Sequence, residues 1–289
     1  MARKSTKKKS KKTPEAAERN RRIALVSAVV IGGGAVFAGA AMGVGELDRK
    51  ASAFIVPTNP SVTINWPTDG QGQVWMPHTD RELIEKKLIR AVQGGKALSR
   101  SALEEAGLAM MQTGWLDAVP TVRWTSDGVI AIEAQWRAPV AAVRLGTREI
   151  VIDRERHVLP LDYAIGESNQ YFFLGIDARL PEVGEQWQGT DLEDGLALLF
   201  LLETEGLLEQ VAGFDLGDGA ESGTLRILTK RDAKIIWGAG PGRERPGEQP
   251  TGIKIDRLKA LFNRSGLIDG GSEFVDIRGA NILLQRREG

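Results

Sequence analysis

Two histidines, His78 and His157, and no cysteine are the whole supply of imidazole and thiol in this chain. The lack of Cys excludes disulfides, Cys-ligated zinc and a thiol nucleophile. Asp153, Glu155 and His157 are residue types that could hold a metal or move a proton. At a strand–loop junction, however, such side chains are expected to be solvated. His78, beside Thr79 and Asp80, reads as a helix start. Gly238-Ala-Gly240-Pro-Gly242 follows a strand and could cradle a phosphate, but no helix follows directly and no Gly-Lys-Ser/Thr is present. Residues 238–252 therefore read as a mobile connecting loop. Glu203 and Glu205 point to different helix faces and do not make a paired-carboxylate site. No Gly-x-Ser-x-Gly occurs. The expectation is a protein with no catalytic residues, no cofactor site, no metal site and no small-molecule substrate, hence not an enzyme.

Charge is distributed in blocks. Formal net charge is zero, yet residues 1–22 hold ten Lys/Arg against two Glu, residues 23–45 hold no ionisable group, and the remainder is acidic by eight charges. Residues 23–45 as a helix would span about 34 Å, enough for a bilayer core. A cleaved signal peptide is the rival reading, but its apolar region is shorter, about 7–15 residues. Basic residues before the span place the N-terminus in the cytoplasm and the acidic body in the periplasm. The basic tail suits a topology signal touching anionic lipid better than a nucleic-acid arm, since no aromatic is interleaved for stacking. Ala35, Gly39 and Gly43 form small-xxx-small spacing that could let two membrane helices pack closely.

The expected organisation is a basic cytoplasmic tail (1–22), a single transmembrane helix (23–45), a linker (46–60), and two body segments (61–138 and 139–289). In the first body segment, Ser61–Trp66 alternates as a strand. A helix running from Thr79 or Asp80 carries Leu83, Ile84, Leu88 and Val92. A second, capped at Ser99, carries Leu103, Leu108 and Met111. Thr121–Trp124 and Val129–Trp136 then form a hairpin around Ser126–Gly128. The order is β-α-α-β-β. Trp115, Trp124 and Trp136 are expected in its core, and Trp75 in an exposed loop. The second segment reads as mostly β. It has a helix from Thr190 or Asp191, another over Ile253–Asn263, and last strands over Phe274–Arg286. The fold class is α+β.

The run Gly114-Trp-Leu-Asp-Ala-Val-Pro-Thr-Val-Arg-Trp124 resembles the second helix end and second strand of a POTRA domain. Arg137-Ala-Pro-Val-Ala-Ala142 closely resembles the exit from that domain in the FtsQ/DivIB family of bacterial division proteins. Ile150–Asp153, Asp256–Leu261 and Phe274–Arg278 resemble later motifs of the same family. Asn65-Trp66 stands where the family has Val-x-Gly, and Arg154–His157 replaces a glycine expected after Asp153. The resemblance implies a septal scaffold in the cytoplasmic membrane, binding FtsB-like and FtsL-like bitopic proteins and other divisome membrane proteins, and no nucleic acid.

A chain-terminal strand often lies at a sheet edge, where its free backbone groups can accept a partner strand. The candidate partner-binding residues are Val275, Ile277, Arg278, Ile282, Leu283, Leu284, Gln285 and Arg286. A POTRA-bearing assembly or secretion protein is a second reading, weakened because no barrel-like series of alternating segments follows. A membrane-anchored envelope hydrolase is a third.

Overall fold

The computed structural model describes residues 61–93, 99–125, 129–176, 178–217 and 223–286. The tail, the expected span with Ala35, Gly39 and Gly43, and the 46–60 linker lie outside these residues. Among the described residues no helix is long and apolar enough to cross a membrane. The architecture of the described residues is α+β, with four α-helices and a large mixed sheet.

The first segment has the expected order: β1 (Val62–Ile64), α1 (His78–Gln93), α2 (Arg100–Met111), β2 (Thr121–Trp124) and β3 (Ile130–Glu133). The sheet order is β1-β3-β2, with β1 parallel and β2 antiparallel to β3. Ile84, Leu88 and Val92 recur at helical spacing on α1 and bury against Ile130 and Ile132 of the central strand. The third strand is shorter than the alternation suggests. After Glu133 the Asn65 side chain accepts from Ala134 N at 2.8 Å, and Trp136 Nε1 donates to Asn65 O at 2.7 Å. Trp136 stacks on Trp66, and its backbone pairs through an isolated antiparallel bridge with Leu116.

The second segment is one nine-stranded sheet in the order β12-β11-β10-β9-β8-β7-β4-β5-β6. Its strands are β4 (Ala141–Leu145), β5 (Arg148–Ile152), β6 (Val158–Ala164), β7 (Tyr171–Leu174), β8 (Val211–Asp215), β9 (Leu225–Thr229), β10 (Lys234–Gly238), β11 (Ser272–Asp276) and β12 (Leu283–Arg286). Three neighbouring pairs are parallel: β4–β7, β7–β8 and β10–β11. Parallel neighbours need crossovers. Those into β8 and β11 carry α3 (Thr190–Thr204) and α4 (Thr251–Ser265). Leu192, Leu196, Leu199 and Leu202 of α3 lie in the core with Trp187, Phe173 and Phe214. The apolar run Leu196–Leu202 is thus a buried helix face.

The two sheets belong to one compact unit. Val151 and Leu159 of the large sheet bury in the small sheet's core, beside Trp115. Gly114, at φ +77, is pressed against the 178–188 loop, and a Cβ there would meet Val183 Cγ1 at 2.4 Å. The positive φ and the Gly184 backbone N, 3.2 Å from that Cβ, strain any larger residue here.

Glu149 on β5 is almost wholly buried, and accepts from Arg144 Nε at 2.8 Å and Ser168 N at 3.2 Å. Burial alone would raise its carboxyl, but hydrogen bonds from Ser168, Gly166 and Arg144 outweigh it and hold the group at about 2. A carboxyl depressed by folding stabilises above its unfolded pKa, and that stability is lost as pH falls from about 4.5 to about 2. Glu149→Gln is expected to lower stability at pH 7 by about 2–3 kcal/mol, and to flatten the acid limb. Urea midpoints at pH 7 and pH 3 check this. Equal loss at both pH values would show that the charge is not what matters.

Candidate functional site

The C-terminal edge is built by α4. Pro250 precedes its first turn, and Gly266 ends it in the left-handed conformation, donating N–H to Phe262 O at 2.7 Å. Ile255, Leu258 and Leu261 bury one face against the sheet. From the same helix Arg257 reaches the β11–β12 connection, donating to Ile277 O at 2.8 Å, Gly279 O at 2.5 Å and Ala280 O at 2.6 Å. One guanidinium fork therefore fixes the turn that launches β12.

β12 pairs antiparallel with β11, with Leu283 opposite Asp276, Leu284 opposite Val275 and Gln285 opposite Phe274. Among the described residues no strand lies on its other side. Leu283 is 63% exposed and Leu284 49% exposed. Alternate residues of a strand point to opposite faces, so two adjacent exposed leucines mean that neither face of this edge is covered. Ile282 is half-buried against the large core and anchors the start of the strand.

The other expected contact residues are placed differently. Val275 and Ile277 are fully buried. β11 is flanked by β10 and β12, which occupy both sides of its ladder. These two residues hold the core behind the edge; their side chains are closed to a partner. Arg278 is tied to Asp276, with Nη2 donating at 2.7 Å and its backbone N at 3.0 Å. Burial would raise the Asp276 carboxyl, but Arg278's hydrogen bonds and charge outweigh it and lower it.

Trp75 is also a correction. It is half-buried, its ring 5.9 Å from that of Trp115, because the loop folds back onto the small core. Between α2 and β2 of that segment lies a groove of about 640 Å³, lined by Leu103, Leu108, Met111 and Val122 together with Arg100 and Glu104.

Several of the chemistry-bearing groups have partners within the fold. Ala239 N donates to the Glu248 carboxylate at 3.1 Å, and Gly242 N to Thr251 Oγ1 at 3.1 Å. These N–H groups are therefore already taken and do not cradle an anion. Arg243 pairs with Asp194 at 3.0 Å and Glu193 at 3.1 Å, and buried Lys254 pairs with Glu248 at 2.9 Å. Residues expected to form a mobile loop are pinned at several points. Glu205 pairs with Lys259, while Glu203 is exposed. His78 opens α1 and faces Glu82 at 3.3 Å. His157, expected to be solvated, is largely buried with Asp153 and Arg137. Among the described residues no group of His, Asp or Glu is arranged to hold a metal.

Sequence reasoning grouped Asp153 with His157 but missed that Arg137 joins them, and it missed the Lys254–Glu248 pair. Each contact joins residues whose proximity is created by folding. The one sequence signal was a Lys inside an otherwise apolar helix face at position 254. No protein-family model matches the chain, and no curated protein matches it either.

Proposed function

We propose that the chain is a non-catalytic, bitopic membrane scaffold of the bacterial divisome, linking early and late division proteins through protein–protein contacts. The observation that supports it most is the free β12 edge, with Leu283 and Leu284 exposed on a backbone that Arg257 holds in place. In this reading a partner adds a strand beside Ile282–Arg286, drawing on main-chain hydrogen bonds for affinity and on alternating side chains for selectivity. The β-α-α-β-β segment serves as the POTRA-like domain between membrane and sheet. Residues 23–45 anchor the chain with its N-terminus inside, and the FtsB-like and FtsL-like bitopic proteins are the partners.

A fluorescent fusion is expected to gather at the septum of dividing cells, and an even distribution around the envelope would reject the reading. Protease added to spheroplasts is expected to digest the body and spare the 1–22 tail. A protected body would overturn both the topology and the scaffold.

A further inference from the structure

We infer that Arg137 is a latch that locks the three-stranded and nine-stranded sheets into one fixed orientation. Arg137 lies between them in chain order, four residues after β3 and four before β4. Its side chain is only 9% exposed. A buried guanidinium is costly unless its donors are met, and here they are met from both sides of the junction. Toward the small sheet, Nε donates to Leu116 O at 2.9 Å and Nη2 lies 3.7 Å from Asp117 Oδ1. The Arg137 backbone N also donates to Trp115 O at 2.9 Å. Toward the large sheet, Nη1 donates to Asp153 Oδ2 at 2.6 Å and packs against His157 Nδ1.

Both ends of this bridge are rigid. Leu116 and Trp115 are core residues of the small segment. Asp153 is fixed by its own turn, its Oδ1 accepting from Glu155 N and His157 N, each at 2.8 Å. Arg156 holds a positive φ of 70 in that turn, which brings His157 back over the carboxylate. The connector adds little freedom, because Pro139 has a fixed φ and restricts Ala138.

The apolar contact between the sheets, through Val151, Leu159 and the partly buried Leu161 and Tyr163, gives attraction. Such attraction is non-directional. A planar fork bonded to two fixed acceptors is directional. The apolar patch thus holds the sheets together, and Arg137 sets the angle.

The absence of Cys provides the test. Full-length protein carrying Glu105→Cys on α2 and Asn263→Cys on α4, both exposed positions, takes one spin label in each half. Pulsed electron-resonance distances are expected to form one narrow peak. Adding Arg137→Ala is expected to broaden and shift that peak, with unchanged near-ultraviolet circular dichroism from the buried tryptophans. Asp153→Asn, which keeps the shape but removes the charge, is expected to do the same. Arg137→Lys should give an intermediate width, since one ammonium cannot span both acceptors. If Arg137→Ala loses the tryptophan signal, the Asp153→Asn distribution decides. A distribution in Asp153→Asn identical to the parent's overturns the latch. Loss of tertiary structure in Asp153→Asn as well also overturns it, making the cluster a folding determinant instead.

Discussion

Removal of Ile282–Gly289 is expected to abolish capture of the proposed FtsB-like partner while both sheets stay folded. Strand addition uses a row of backbone groups together, so deleting the template deletes all of them at once. The folded remainder is expected to persist because Val275 and Ile277 are buried in the large core, which α4 also enters through Ile255, Leu258 and Leu261. Leu284→Pro removes a single N–H and distorts the strand around its pairing with Val275. Its effect should fall short of the deletion. Leu284→Ala keeps every backbone group and trims a half-exposed side chain, so it should weaken binding by no more than about tenfold, or about 1.4 kcal/mol. Pull-down with full-length variants gives the order: deletion worst, proline next, alanine mildest. Partner recovery by the deletion variant equal to the parent's would remove this edge from consideration. The groove between α2 and β2 would then be the surface to test.

Trp115→Ala is expected to lower the stability of the small segment by about 3–5 kcal/mol, the usual cost of deleting a buried Trp side chain. Trp115 is 2% exposed and packs against Trp75 in a tilted aromatic pair. Its carbonyl also receives the Arg137 backbone N–H. The cavity is hard to close, because the ring is held between the small core and the Val151 and Leu159 side chains of the neighbouring sheet. Trp75→Ala should cost less, since that ring is already half in water. Urea unfolding of the full-length protein followed by circular dichroism measures both. A Trp115→Ala midpoint unchanged from the parent would contradict the burial.

The sequence by itself determined the order of the elements. Helical spacing of Ile84, Leu88 and Val92 and the alternation of Thr121–Trp124 are local signals, written in the period of the chain. Gly266 ends α4 where the sequence has Ser265-Gly266, and Gly146 turns β4 into β5.

Tertiary structure alone decided which side chains meet. Val275 and Ile277 looked as available as Leu283 and Leu284, yet the first two face a covered core and the last two sit where that cover stops. Trp75 turned inward because a loop folded back, which no periodicity records. The 238–252 segment has the Gly and Pro content of a free connector, but it is held by Glu193, Asp194 and Lys254, side chains supplied by α3 and α4. Arg137 joins Asp153 and His157 where its backbone pairs with Trp115 and the turn after β5 brings His157 back over Asp153. Elements arise from interactions within a few residues, whereas burial and ion pairing depend on which surfaces the finished fold presses together.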